Sequence, residues 1–474
     1  MKHRLLPFLL IFSAALSAQN ATQSLQNFLN TPELRQSNIG IYIKNNTTGQ
    51  VIADFRSEHV IPPASTQKIL TSATALCLLG SDFRFSTFLE TDGTIEDGTL
   101  KGNLYIRGTG DPTLGSQKVG DQMFLYKWVQ ALRKKGIRRI EGSVISDASF
   151  FDGDAVNPQW IWEDIGNYYA PGIFALPYLD NTMNVQLRSA AIGSVAEVVK
   201  TFPEVEGMIF ENHIRCTEIT YDGAYVHGLP YSNVRYLTGS VPSNRGIFGV
   251  KGDLPNPPLL LAKHFTNRLR EGGIEVTEEP GYMTETNNST RQLLYTHLSE
   301  PLSEILREVN QNSNNLYAEQ IYRYLGSMIA TPCTLQNSLI TMQNCWRNRG
   351  ISLQNTFIFD GCGLAPQDAV SAQTLVRILD FMLHSTEKDV FFLSLPVAGE
   401  SGTLKNFLAK TPLQGKVVAK SGTTSRIKSY AGYITLKDES VITFAIIVNN
   451  ANCKARKVQT LIENYLVELF GHQC

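Results

Sequence analysis

The chain carries almost no excess charge. Its 474 residues hold 42 Lys and Arg against 43 Asp and Glu, a formal net charge of −1. Nucleic-acid binding calls for a basic face, so that class of partner is set aside. Cysteine is sparse and unpaired in pattern: seven residues, no C-x-x-C. The eight histidines form no H-E-x-x-H and no close pair. Neither a metal centre nor a cofactor is expected. G-x-S-x-G, the nucleophile turn of the common serine esterases, is missing. No internal repeat and no low-complexity tract occurs. Past the N-terminus, no apolar run is long enough to span a bilayer.

What is present begins with "MKHRLLPFLLIFSAALSAQNA". Lys2 and Arg4 precede a short apolar run, and small residues follow it. This is the pattern of a secretory signal peptide, residues 1–18, with Ala18 before the cut. The first Cys is Cys77, so no lipid-attachment Cys stands at that cut. An exported chain of the periplasm or cell envelope is expected. An odd cysteine count leaves at least one thiol unpaired within the chain; Cys333 with Cys345 is one local bridge to consider.

The rest has the composition of a globular protein, 43% hydrophobic, and a length that suggests about three domains. "IGIYIKNNTTGQVIADF" reads as strand, turn, strand. A Pro-led helix follows from about Ser65 to Leu79, apolar nearly all round and therefore a core helix. The middle turns to short strand-like runs around helices at 122–135 and after Pro258. A long amphipathic pattern spans about 301–330. Two strands and a helix from about Lys454 to Phe470 close the chain. Both ends thus read as one α/β unit, with the middle inserted.

Three motifs carry chemistry. "PPASTQKILT" sets Ser65 three residues before Lys68. Ser65 or Thr66 could simply cap the helix. The same spacing puts hydroxyl and amine on one helix face, where a partly desolvated Lys activates a Ser nucleophile. "NQNSNNLYAEQI" supplies Ser313 and Asn315, a hydroxyl to relay a proton and an amide to orient a carbonyl. It also reads as a polar break between helices. "VVAKSGTTS" supplies Lys420, Ser421, Gly422 and Thr423 at the end of an apolar strand. An edge strand there can bind a peptide by β-augmentation, with Gly422 allowing close approach and the hydroxyls of Ser421 and Thr423 binding a terminal carboxylate. Each motif alone is common. The ordered set S-x-x-K, S-x-N and K-[ST]-G is the pattern of penicillin-interacting serine enzymes.

The chain further resembles the class C low-molecular-mass penicillin-binding proteins, exported D-alanyl-D-alanine carboxypeptidases and endopeptidases. The resemblance runs from about residue 38 to 450 and includes "GTGDPTL", "WIWEDIGNYYAP", "FDGCGL" and "GTLKN". It implies a multidomain α/β (α+β) fold. A penicillin-binding, serine β-lactamase-like transpeptidase domain (22–85 and 290–474) would carry two inserted β-rich domains, 86–180 with 240–289, and 181–239 nested within. It implies that Ser65 attacks a D-Ala carbonyl, that Lys68 takes its proton, and that Ser313 and Asn315 serve the leaving amine and the substrate amide. It assigns Lys420, Ser421, Gly422 and Thr423 to substrate binding, with Asp164 and Tyr169 meeting the diamino acid of the stem peptide. The implied partners are peptidoglycan stem peptides and β-lactams; a homodimer is compatible. Three positions depart from the family. Cys362 stands where Ser is usual, Pro366 where a basic residue is often found, and K-S-G replaces the commoner K-T-G. Cys362 is either a buried small residue or a thiol near the cleft. Two other readings stay open: a β-lactamase, against which the long insertion speaks, and a non-catalytic peptidoglycan-binding or antibiotic-sensing protein.

Overall fold

Alternation along the strand Asn38–Asn45 buries Ile39, Ile41 and Ile43 on one side, as a half-buried strand requires. Its two neighbours are Val51–Phe55 and Val441–Asn449, both antiparallel to it. The structure, a computed structural model, describes residues 19–287 and 289–474. The signal-peptide assignment at 1–18 lies outside them. The chain divides into two compact units.

The first unit takes the chain up to Ser81, Leu306–Ser313 and Met342–Cys474, so both chain ends belong to it. Its sheet has five antiparallel strands. From one edge they are Val417–Thr424, Ile427–Thr435, Val441–Asn449, Asn38–Asn45 and Val51–Phe55. Ile39, Ile41, Phe444 and Ile446 pack in one core with Val458, Ile462, Tyr465 and Leu466 of the helix Ala455–Phe470. The helix Ala372–Leu383 is tied to the sheet as well: Tyr433 donates to the Leu379 carbonyl at 2.8 Å, and Lys44 pairs with Asp380 at 2.9 Å. The Pro-led helix is buried, as its all-round apolar face requires, and runs Lys68–Leu79. Trp346 Nε1 donates to Thr74 on that helix at 2.8 Å.

The second unit holds Asp82–Ile305 and Asn314–Thr341. It is rich in strands, in sheets of five, four, four and three. The residues from Thr182 to Asp253 form two of these sheets among themselves. The helices Phe124–Lys134 and Pro257–Glu271 share one core with them, through Trp128, Leu132, Leu261 and Phe265. Asn256 caps the second helix by accepting from Leu259 N at 3.0 Å, the role its side chain suits. Among the described residues, no helix is long and apolar enough to cross a membrane.

Three local expectations change. The amphipathic pattern at 301–330 is two helices, Leu302–Gln311 and Asn315–Leu325, broken by a left-handed Ser313 at φ +58°. Neither Ser65 nor Thr66 caps the Pro-led helix. A tight 3-10 turn, Ala64–Gln67, feeds directly into it, and Thr66 Oγ1 turns back to the Pro63 carbonyl at 2.8 Å. No bridge joins Cys333 to Cys345, and both are buried free thiols. Cys345 instead hydrogen-bonds the Cys77 thiol.

Candidate active site

The turn that carries Ser65 is built from strained backbone. Pro62 and Pro63 lead in, and Ala64 adopts φ +48°, a conformation that L residues avoid. The Pro63 carbonyl accepts from Thr66 Oγ1 and from Ser429 Oγ, the latter at 2.6 Å. Ser429 belongs to the second strand of the sheet, so the sheet holds the turn in place. Gly422 on the edge strand lies against the same turn. A Cβ there would come within 2.7 Å of the Pro63 carbonyl oxygen and 3.0 Å of Ser65 N.

Ser65 and Lys68 face each other as the spacing requires. Lys68 Nζ is 3.1 Å from Ser65 Oγ and donates to the Cys362 carbonyl at 2.8 Å. Lys68 is fully buried while Ser65 is partly exposed. A side-chain amine in that position has lost water and is held by a hydroxyl and a backbone carbonyl, which fixes it toward Ser65.

The Cys362 carbonyl is itself placed by a carboxylate. Asp360, fully buried, accepts from four successive backbone N–H groups: Cys362 at 2.9 Å, Gly363 at 2.5 Å, Leu364 at 2.9 Å and Ala365 at 2.7 Å. The loop then meets the helix of Lys68 twice more. Thr71 Oγ1 donates to the Gly361 carbonyl at 2.6 Å, and Gln67 Nε2 to the Asp360 carbonyl at 3.3 Å. Gly363 is required in this loop: its φ is +80°, and a Cβ would fall 2.0 Å from the Ala64 carbonyl oxygen. Cys362 is fully buried, the first of the two roles open to it.

Lys420 Nζ donates to Ser313 Oγ at 2.9 Å and to the Ser421 carbonyl at 2.8 Å. Burial, with the Lys68 and Lys428 charges adding to it, holds Lys420 well below the ordinary lysine value. Ser313 owes its position to the helix before it. There Asn310 donates to Ser72 at 3.2 Å and to Ser394 at 2.9 Å, and Gln311 donates to the Leu395 carbonyl at 2.8 Å. Ser421 Oγ donates to Thr403 Oγ1 at 2.8 Å. The strand of Lys420, Ser421, Gly422 and Thr423 lies at the sheet edge; Val397 bridges its first half opposite Val418, and the edge from Lys420 onward is the part where a further strand would add.

The division between units falls after Ser313, so Asn315 belongs to the second unit. There Asn315 Nδ2 donates to the Tyr169 carbonyl at 2.8 Å, and the Tyr169 hydroxyl donates to Asp164 at 3.0 Å. Asn315, Tyr169 and Asp164 therefore form one connected group. Burial raises the Asp164 carboxyl, opposed by the Tyr169 hydrogen bond, and burial next to Asp164 raises the Tyr169 phenol.

Comparison with known proteins matches this chain to a family. The model of the D-Ala-D-Ala carboxypeptidase 3 (S13) family matches residues 21–469. The chain belongs to that family. Among curated relatives, D-alanyl-D-alanine carboxypeptidase DacB of Haemophilus influenzae is 28% identical over 423 residues, covering 87% of this chain and 85% of the relative. The D-alanyl-D-alanine carboxypeptidase of Actinomadura sp. (strain R39) is 27% identical over 470 residues, covering 95% and 85%. Among solved structures, penicillin-binding protein 4 of Haemophilus influenzae superposes with a TM-score of 0.81 at 25% identity, over 96% of this chain and 99% of that one. The mixed α/β, penicillin-binding fold that the resemblance implied is thus the fold observed.

Sequence reasoning missed the parts of the site made from backbone. Nothing in "FDGCGL" marks the Cys362 carbonyl as the second partner of Lys68, or Asp360 as the anchor of the loop. A signal existed in the Asp followed by two glycines, a composition that favours a tight turn around a carboxylate. Thr403 could be sought in "GTLKN", but its pairing with Ser421 spans residues far apart in sequence.

Proposed function

We propose that this protein is a serine D,D-peptidase that cleaves D-Ala–D-Ala bonds, and D-Ala–diamino acid cross-links, through an acyl-Ser65 intermediate, and that β-lactams acylate the same serine. The observation that carries the reading is the contact between Ser65 Oγ and the buried Lys68 Nζ, 3.1 Å long. Lys68 takes the Ser65 proton as the hydroxyl attacks the D-Ala carbonyl. The backbone N–H groups of Ser65 and Thr423 receive the oxyanion, a device worth about 3 kcal/mol per donor. Ser313, hydrogen-bonded to Lys420, passes a proton to the leaving amine. Asn315 orients the substrate amide, and water then releases the acyl group.

Substrate lies along the edge strand of Lys420, Ser421, Gly422 and Thr423, where Gly422 lets the turn of Ser65 close against the strand. Asp164 and Tyr169 meet the amino end of the stem-peptide diamino acid; the carboxyl of Asp164 is already oriented by the Tyr169 hydroxyl. We further assign the strand-rich middle of the chain to two inserted domains, one nested in the other, and the leader to export.

The test is labelling of purified mature protein with a fluorescent penicillin, located by peptide mass spectrometry, with Ser65→Ala in parallel. A stable adduct on Ser65, absent from the variant, is expected. No adduct on a well-folded chain overturns the serine mechanism and leaves a non-catalytic binding protein. Digestion of cross-linked muropeptides then separates endopeptidase from carboxypeptidase activity by the leaving group released.

A further inference from the structure

Lys428 lies outside the three motifs, and no step above uses it. It stands on the strand Ile427–Thr435, directly opposite Thr423 in an antiparallel pair. Opposed residues project to the same face, and so do residues two apart. Ser421, Thr423 and Lys428 therefore share one face beside the edge of the sheet. Lys428 Nζ donates to Thr423 Oγ1 at 2.8 Å. Ser421 Oγ reaches Thr403 Oγ1 on that face. The hydrogen-bond partner of this half-buried ammonium is thus a hydroxyl; its Nζ also stands 5.0 Å from the Tyr430 ring centroid, and the Glu463 carboxylate acts on its charge from further off, against the effect of burial. A cation withdrawn from water beside a cluster of hydroxyls is a site prepared for an anion. Pro366, in contrast, offers no charge where the family resemblance leads one to look for a basic side chain.

We propose that Lys428, together with the hydroxyls of Thr423 and Ser421, forms the cradle for the free carboxylate that follows the scissile bond, and so determines the preference for substrates with that carboxylate. The inference rests on the serine-peptidase reading and deepens it. Burial brings the Lys428 ammonium down to about 8, so a bound carboxylate would also favour its charged form.

The test uses two D-alanyl thioesters with the same acyl part. The leaving group of one ends in a carboxylate, that of the other in a carboxamide. kcat/KM is measured for both with the wild-type chain and with Lys428→Met, Lys428→Gln and Lys428→Arg, each checked for folding by thermal unfolding. The wild type should prefer the carboxylate. Lys428→Met and Lys428→Gln should reduce that preference by about 10-fold to 100-fold, the range for a hydrogen bond to a charged group, and Lys428→Arg should restore most of it. Should the Met variant not fold, the Gln variant decides by the same ratio. An unchanged preference, or an equal loss on both thioesters, overturns the cradle and leaves Lys428 a structural residue. A wild type that turns over both thioesters equally, while penicillin still labels Ser65, overturns the cradle alone. A wild type inert to both, with no adduct on Ser65, overturns the peptidase reading and the cradle with it.

Discussion

Substituting Asp360 by Asn tests whether the site rests on a single buried carboxylate. The carboxylate accepts four backbone N–H groups, two on each oxygen. An amide keeps one acceptor oxygen and turns an NH2 toward the other pair. Two buried N–H groups then face a donor, at about 1–3 kcal/mol each. The expected loss is therefore about 2–6 kcal/mol, reduced by whatever the loop recovers on relaxing. The local consequence is more specific than the global one. The same loop carries the Cys362 carbonyl that holds Lys68 and the Gly361 carbonyl that holds Thr71. Once it shifts, Lys68 is no longer fixed against Ser65, and penicillin acylation should slow by more than ten-fold even where the variant is still folded. Urea unfolding gives the first quantity, and stopped-time labelling with fluorescent penicillin at a temperature well below unfolding gives the second. An Asp360→Asn chain within about 0.5 kcal/mol of wild type, a change typical of an unconstrained surface site, and acylated at the wild-type rate would refute the account of how Lys68 is positioned.

Other perturbations follow from the same contacts. Gly363→Ala should be more damaging than a surface glycine change, because the new Cβ meets the Ala64 carbonyl and the backbone is left-handed; a fall in thermal stability with slower labelling of Ser65 is expected, and wild-type values for both would count against it. Cys77 is lowered chiefly by its hydrogen bond to Cys345, with Arg349 adding to the effect, and is half-exposed, whereas Cys345 is raised by the same bond and by burial. Timed alkylation with peptide mapping should therefore modify Cys77 before Cys345, and the reverse order would contradict the arrangement. His297 is held down at about 4 by burial beside Phe124 and Trp128. The unfolded chain then binds this proton from about pH 6.5 and the folded chain only near 4, so stability falls as pH drops through that window. Comparing urea midpoints of wild type and His297→Gln between pH 7 and 4 should show a shallower fall in the variant; parallel curves would argue against a neutral, buried imidazole.

What could be read from the sequence, and what could not, divides along a physical line. Ser65 with Lys68, and the strand of Lys420 to Thr423, are local patterns. A three-residue step on a helix or a glycine on an edge strand fixes where its side chains point, so spacing alone carries the geometry. The first strand was legible for the same reason, since alternation at Ile39, Ile41 and Ile43 has a period that survives in any context, whereas the multidomain fold was implied by the family resemblance. The amphipathic pattern at 301–330 runs on across its break, and it is the polar stretch around Ser313, read also as a break between helices, that marks where the two helices part; Asn310, just before it, bonds Ser72 and Ser394. The groups that complete the site are backbone carbonyls and long-range hydroxyl pairs. The Cys362 carbonyl would be the same whatever side chain residue 362 bore, so the departure from Ser at that position says nothing about it. Lys428 is the opposite case. Its identity was visible throughout, but its place depends on strand register: only opposite Thr423 does a lysine there reach the Thr423 hydroxyl, and a shift of one residue would turn it to the other side of the sheet.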